Sequence, residues 1–262
     1  MNLSFDDISS GSISVILGLT LVLAGIIFVR YLVVSGAYHY LFFSLFRKHF
    51  EHRILDHKPH KRKQLLTEVY WSAISGLIFA AFGVFIYYLW AIDKSAIYTD
   101  INKYPLWYIP ISVALLLFIQ DTYYYWIHRW MHLPSVYRYL HKIHHKSVHT
   151  SVLTSFSFHP LETILQALIL PVIVVLLPLH VYALLLTLLL MTLSATINHA
   201  GVEIYPSGKI GDLMGKWIIG ATHHDHHHRR FNYNFGLYFT FWDRWMATEH
   251  GHKKKRTLKS KG

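Results

Sequence analysis

The sequence predicts an all-α integral membrane protein, with about four transmembrane helices or helical hairpins and a cytosolic helical cap rich in histidine. Hydrophobic residues make up 53% of the 262 residues, and charged residues only 15%. The apolar residues lie in uninterrupted runs of about the 20 residues that a helix needs to cross a bilayer. Many of the 21 histidines stand in short clusters after the third run, which predicts the cap.

Five apolar runs predict the order of the helices. Residues 13–29 and 69–92 carry no charge, and residues 106–119 lead into an aromatic stretch. Each of these three predicts a membrane span. Residues 163–179 and 181–197 are separated by a proline and a histidine, which predicts a hairpin that enters the bilayer and returns. Buried core helices of a soluble domain are the alternative, and the uninterrupted runs favour the membrane.

The charge between the runs predicts the topology. Between the first two runs, residues 47–63 contain Glu51 and Asp56 as their acidic residues beside many basic ones. These basic residues are Arg47, Lys48, Arg53, Lys58, Lys61, Arg62 and Lys63. A loop so rich in lysine and arginine is expected in the cytoplasm. Three crossings then return His128 to the cytoplasmic face, and the hairpin returns the later histidines to the same face.

The net charge of +11 indicates which kinds of molecule the protein is expected to contact. Basic residues next to a membrane domain favour anionic lipid headgroups or an acidic electron-donor protein, so we expect no nucleic acid. Without cysteine the chain forms no disulfide.

We predict transmembrane helices and a basic loop over residues 1–120, a catalytic region over 121–250 and a basic tail over 251–262.

Three histidine clusters carry the functional prediction. They read His128-x-x-x-His132, His141-x-x-His144-His145 and His224-x-x-His227-His228. Spacings of three and four residues place side chains on one face of a helix, so each cluster can direct several imidazoles to a common point. An all-nitrogen ligand set without cysteine suits iron or another first-row metal that handles oxygen, and the number of imidazoles suggests two ions.

Other polar residues lie near these clusters in sequence. Asp121 and Tyr125 share a helical stripe with His128, so the Asp121 carboxylate is expected to orient a metal-bound histidine or to face water at the helix end. His199 follows the hairpin and should reach the level of the site. His223, next to the last cluster, is ambiguous from spacing alone.

The motif His159-Pro160-Leu161-Glu162 opens the hairpin. Proline suits the first turn of a helix, and Glu162 lies one turn from His159. For His159, the roles of metal ligand, support for a ligand and helix cap are all open.

The order of these motifs, followed by the sequence Phe231-Asn232-Tyr233-Asn234-Phe235-Gly236 and by Phe241-Trp242-Asp243-Arg244, resembles the fatty acid hydroxylase superfamily. Within it, the sequence is most similar to sterol C5-desaturases, over about residues 121 to 245. The resemblance implies a membrane enzyme with two iron ions that desaturates or hydroxylates a lipid. It implies O2 as oxidant and electrons from NAD(P)H through a separate b-type cytochrome or ferredoxin and its reductase.

The resemblance also assigns residues. The implied metal ligands are His128, His132, His141, His144, His145, His199, His223, His224, His227 and His228. The expected catalytic residues are Asp121, Tyr125 and His159. Because the substrate comes from the bilayer, aromatic residues such as Tyr124 and Phe158 are expected to line its entrance or to form an ordinary interfacial belt.

Two other functions fit a histidine-rich membrane protein. A zinc transporter would need polar residues inside its spans, which are almost free of them. A metal-dependent lipid hydrolase would need an open coordination position and a base, and an all-histidine cage favours neither. The lipid substrate, whether sterol, fatty acyl or sphingoid, and the choice between desaturation and hydroxylation are left open by the sequence.

Overall fold

The protein is described here by a computed structural model over residues 12–250, and nearly all its regular structure is helical. The helices in chain order are α1 (Ile13–Tyr40), α2 (Arg47–Phe50), α3 (Arg62–Ala91), α4 (Tyr108–Met131), α5 (Pro134–Leu140), α6 (Pro160–Leu176), α7 (Val181–His199), α8 (Lys209–Gly215), α9 (Ala221–Arg230) and α10 (Phe241–Trp245). Two short strands, β1 (Ile97–Tyr98) and β2 (Leu179–His180), pair in parallel. The predicted basic tail lies outside the described residues.

Three helical segments within residues 12–250 are long and apolar enough to cross a membrane. They are α1 with its π-helical extension (Ile13–Leu45), α3 (Arg62–Ala91) and α7 (Val181–His199). The prediction of an all-α membrane protein is therefore confirmed. Large apolar side chains on α1 point away from the protein, with Ile13 75% and Leu21 65% exposed, and hydrocarbon is the environment that suits such a surface.

The two other predicted membrane segments differ from these three. Helix α4 has 24 residues and includes the predicted third run from residue 108 onward. Gln120, Asp121 and three tyrosines occupy its second half, so it is less apolar than the three candidate spans. Helix α6, the first arm of the predicted hairpin, has only 17 residues. The predicted division at residue 121 falls inside α4, and the domain boundaries stay a prediction.

Close packing joins the spans. Helix α1 packs along α3, and Gly83 lets Leu23 approach, since a β-carbon at position 83 would lie 2.7 Å from Leu23 Cδ2. Helix α3 also packs on α6, where the Ser75 and Thr163 hydroxyls lie 3.0 Å apart. An apolar core joins α3, α4 and the hairpin through residues Ile86, Leu116, Ile173, Val174, Leu179 and Leu184.

The strand pair ties the loop after α3 to the tip of the hairpin. Ile97 pairs with Leu179, and Tyr98 with His180. The His180 Nδ1 accepts a hydrogen bond from the Tyr182 amide at the start of α7 (3.1 Å). His180 therefore caps a helix at the end of the hairpin opposite His199. The histidines at the C-terminal ends of α4 and α7, and those on α9, come together in the histidine-rich cap.

Candidate metal centre

Nine histidines form two groups, and within each group one ring nitrogen of every histidine lies within 4.8 Å of the others. The first group is His128, His132, His141, His145 and His227. The second group is His144, His199, His224 and His228. All nine are buried except His132, which is partly buried. We call them the five-histidine group and the four-histidine group.

Four parts of the chain position these side chains. His128 lies in the last turn of α4, and His132 directly follows that helix. Pro134 begins α5, whose end leads through a turn into a 3₁₀ segment that starts at His144. The last residue of α7 is His199. Helix α9 supplies the remaining three histidines, at the spacing that places them on one side of a helix.

Both groups take histidines from the segment after α5 and from α9. The adjacent residues His144 and His145 belong to different groups, as do His227 and His228. The ring centres of His145 and His228, one from each group, lie 4.6 Å apart. The groups are therefore direct neighbours, which suits two ions in one centre.

The outer nitrogens of several rings are held by oxygen acceptors. His128 Nδ1 lies 2.8 Å from the Phe235 carbonyl oxygen, and His141 Nδ1 lies 2.8 Å from a carboxylate oxygen of Glu162. Three more Nδ1 atoms contact backbone carbonyl oxygens: those of His144 (3.3 Å), His199 (2.7 Å) and His227 (2.8 Å). These oxygens only accept hydrogen bonds, so each of the five Nδ1 atoms carries the proton.

The inner nitrogens therefore face one another without a proton between them. His128 Nε2 and His141 Nε2 lie 3.0 Å apart, and both rings already carry their proton on Nδ1. The Nε2 atoms of His144 and His199 repeat this arrangement at 3.2 Å. Two lone pairs at this distance repel each other unless a cation lies between them. Imidazoles held through Nδ1 with Nε2 free are the usual arrangement of metal-binding histidines.

Burial keeps these imidazoles neutral. The pKa values of His144, His145, His224 and His228 lie well below the usual range, first because the rings are removed from water and then because of neighbouring histidines. Burial also lowers the pKa of His227, to about 3. A metal binds the deprotonated imidazole nitrogen, so these rings would need no proton loss near neutral pH.

Aromatic side chains pack directly on the histidines. The ring centre of Tyr124 lies 4.9 Å from that of His128, and the Phe158 ring lies 4.9 Å from His144. Trp126 instead is 45% exposed and contacts Trp242. Tyr124 and Phe158 therefore border the histidine groups, whereas Trp126 lies at the surface.

Two predicted site histidines lie outside both groups. His223 Nε2 lies 3.5 Å from Asp243 Oδ2, because its position on α9 is off the face shared by the other three. His159 precedes α6 and caps it, with Nδ1 accepting from the Leu161 amide at 3.3 Å. In this arrangement, helix capping is the role that the structure gives His159.

Asp121 and Tyr125 contact residues outside the two histidine groups. Asp121 Oδ1 accepts hydrogen bonds from the three consecutive amides of residues 237–239, at 3.1, 2.7 and 3.3 Å. The Tyr125 hydroxyl lies 2.9 Å from the Thr248 hydroxyl. Asp121 is completely buried, so the expectation that it orients a histidine or faces water is not met. Both residues hold the segment after α9.

Sequence reasoning gave no role to two buried carboxylates. Asp243 accepts from the amides of Phe235 (2.8 Å) and Gly236 (2.9 Å), and so holds the loop whose carbonyl oxygen contacts His128. Burial tends to raise the Asp243 pKa, but contacts with His223 and these hydrogen bonds keep it below its usual value. Glu68, on α3, accepts from Ser147 and Ser151 at 2.6 Å each. In the sequence, Glu68 directly precedes the uncharged run at residues 69–92. This position of an acidic residue was the signal that could have identified it.

Comparison with known proteins follows the same part of the chain. The family model described as "Fatty acid hydroxylase" matches residues 113–248, which include all nine grouped histidines. Human lathosterol oxidase is 29% identical over 218 residues, covering 80% of this chain and 70% of that protein. The mouse lathosterol oxidase is 30% identical with the same coverage. The Delta(7)-sterol 5(6)-desaturase of Candida albicans is 31% identical over 204 residues, covering 74% of this chain and 49% of that protein. No solved structure matches the chain.

Proposed function

Because the chain belongs to the fatty acid hydroxylase family, we propose that it is a membrane oxidoreductase that desaturates or hydroxylates a lipid at a centre of two iron ions. The observation that carries the proposal is the set of Nε2 atoms that face one another at about 3 Å while their Nδ1 atoms are bound to oxygen. The Nε2 atoms of His128 and His141 are 3.0 Å apart. A metal cation bound by both nitrogens removes the repulsion of the two lone pairs.

Iron bound there would supply the oxidising power, with O2, that removal of hydrogen from an unactivated C–H bond requires. The chain supplies the placement. Glu162 and four backbone carbonyl oxygens orient the rings of five histidines. The aromatic rings of Tyr124 and Phe158 cover the histidines on two sides and help to exclude water from the centre.

The names of the relatives support a sterol as the substrate. The similar proteins are lathosterol oxidases and Delta(7)-sterol 5(6)-desaturases, so we propose a Δ7-sterol and introduction of the 5,6 double bond. A sterol resides in the bilayer and can reach the centre from the membrane. This agrees with an integral membrane protein with three candidate spans among its described residues.

Electrons are proposed to come from NAD(P)H through a separate b-type cytochrome or ferredoxin on the cytoplasmic face. Among the basic residues near the centre, Arg229 lies 2.8 Å from Asp225 and 3.5 Å from Asp56, so it is already paired. Lys142 and Arg230 are exposed and are the better candidates for docking an acidic donor.

Metal analysis of the purified protein tests the centre without relying on activity. We expect about two iron ions per chain, and substantially fewer in His141→Ala and in His199→Ala, which remove one ligand from each group. His149→Ala is the matched control, because His149 lies outside both groups. Zinc alone after expression with ample iron, unaffected by these variants, would contradict the proposal and favour transport or hydrolysis.

Sterol analysis tests the reaction. Cells that accumulate a Δ7-sterol should form the 5,6-unsaturated product when they express this chain, and the His141→Ala variant should abolish the product. If iron is bound and the sterol is unchanged, fatty acyl and sphingoid lipids from the same cells are profiled for new double bonds or hydroxyl groups. That outcome would overturn the sterol assignment and leave the iron centre intact.

A further inference from the structure

A cleft of about 620 Å³ opens between α1, the basic loop and the segment that follows the second histidine cluster. One wall is a stripe of α1, and Ile54, Val152 and Leu153 form an apolar wall opposite. The cleft also touches Ala200, next to His199. Its volume is in the range of sites that bind small molecules in proteins.

The stripe on α1 runs from an apolar end to a polar end. Leu32, Gly36 and His39 on α1 and Phe43 on its π-helical extension follow one another at helical spacing along the wall, and Arg47 lies beyond the end of the span. The cleft therefore extends from the part of α1 that lies at bilayer depth to the level where headgroups meet the cytoplasmic loop. A ligand that fills it needs an apolar part and a polar part in that order.

The polar end is positively charged. Arg47 and Lys58 line it together with His57 and His60, and Asp56 is the acidic residue among the lining side chains. Asp56 is already compensated, because nitrogens of His149 and Arg229 lie 2.5 and 3.5 Å from its Oδ2 atom. Arg47 lies 4.0 Å from Glu51 in an exposed pair, and such pairs are weak. The opening thus has an excess of positive charge.

We propose that this cleft binds one acidic membrane phospholipid, with an acyl chain along Leu32, Gly36 and Val152 and the phosphate between Arg47 and Lys58. The apolar walls explain why the ligand is a lipid and not free phosphate. The basic opening distinguishes an acidic phospholipid from a neutral sterol or phosphatidylcholine. Nothing in this assignment depends on the reaction at the metal centre, and no histidine of either group takes part.

Gly36 provides a variant that fills the cleft. A β-carbon built at this position has no neighbour within 4 Å, so the backbone accepts a side chain there and Gly36→Leu is expected to fill part of the cleft. Gly25→Leu is the matched control on the same helix, because Gly25 is equally open. For the charged end, Arg47→Gln with Lys58→Gln removes two cations. Lys209→Gln with Lys216→Gln removes two exposed cations from the region of α8 and serves as its control.

The test is native mass spectrometry of the full-length protein in detergent micelles, with equal amounts of dioleoyl-phosphatidylglycerol and dioleoyl-phosphatidylcholine. The parent chain should retain one phosphatidylglycerol with roughly tenfold preference over phosphatidylcholine, and the double variant at Arg47 and Lys58 should lose that preference. Gly36→Leu should reduce retention of phosphatidylglycerol, whereas both controls should match the parent.

Three results would overturn the proposal. One is equal retention of the two phospholipids by the parent chain. Another is a loss in the cleft variants no larger than in their controls. The third is one-for-one displacement of phosphatidylglycerol by an added neutral sterol, which would assign the cleft to the sterol.

Discussion

At the scale of single residues, the position of one proton on each imidazole determines what the centre can bind. Oxygen acceptors hold Nδ1–H of five histidines, and this leaves the Nε2 lone pairs for a metal. Among the five acceptors only Glu162 is a side chain, and it contacts His141. The contribution of such a partner can therefore be measured by mutation at Glu162.

Glu162→Ala should weaken metal binding in the five-histidine group about 10- to 100-fold, because His141 Nδ1 loses its acceptor and the ring can turn. Titration with a competing chelator measures this loss. The ion held by the four-histidine group should be retained. Glu162→Gln keeps an oxygen acceptor and should lose less, and equal chelator resistance of the parent chain and Glu162→Ala would contradict the prediction.

Asp121→Ala should lower the free energy of unfolding by about 3 kcal/mol, because three backbone amides lose their acceptor in a buried place. Thermal unfolding of the purified protein measures the change. At low temperature, where the variant is folded, its metal content should match that of the parent. Loss of metal with unchanged unfolding would instead assign Asp121 a direct role at the centre. Ile111→Ala, at an exposed position of the same helix, is the control.

At the scale of elements, a membrane helix holds the loop that follows the second histidine cluster. The Glu68 carboxylate of α3 accepts hydrogen bonds from the hydroxyls of Ser147, Ser151 and Thr154, at 2.6, 2.6 and 3.0 Å. It also accepts one from the side-chain amide of Gln64, at 2.8 Å. This carboxylate is buried, and four hydrogen bonds offset the cost of removing it from water. The loop from 147 to 154 is thereby fixed against α3, directly after His144 and His145.

Glu68→Ala should destabilise this loop by about 2 kcal/mol, because several buried donors lose their acceptor. Limited proteolysis, followed by mass spectrometry of the fragments, should show faster cleavage within residues 147–154. Thr67→Ala is the matched control, because Thr67 is the preceding, exposed residue on α3. An unchanged cleavage rate in Glu68→Ala would show that the loop is held by other contacts.

At the scale of the whole molecule, the topology has to bring all nine histidines to one side of the membrane. They come from α4, from the segment after α5, from the end of α7 and from α9, and the structure unites them in one centre. The distribution of basic residues places this side in the cytoplasm, and that orientation is a prediction.

The absence of cysteine from the chain allows a direct test of orientation. In sealed vesicles with the cytoplasmic face outward, Lys58→Cys should react with a membrane-impermeant maleimide. Lys94→Cys, in the loop after α3, should react only after detergent is added. Both lysines are exposed, so access to the reagent depends on the side of the membrane. The opposite labelling pattern would reverse the proposed topology.

The sequence by itself determined the features that depend on short stretches of chain. Apolar runs predict membrane helices because the bilayer requires about 20 apolar residues in succession. The spacing of His224, His227 and His228 predicts one helical face because helix geometry is local. The fold class was predicted from such patterns and the family from the order of the histidine motifs, and both are confirmed.

Only the tertiary structure decided which side chains meet. His144 and His145 are adjacent in sequence but belong to different groups, because His144 faces His199 at the end of α7 whereas His145 faces His132 and His227. Asp121 was expected to orient a histidine or to face water, yet it binds amides more than a hundred residues later. Contacts between distant segments depend on how the helices pack against each other, and helical spacing within one segment carries no information about that packing.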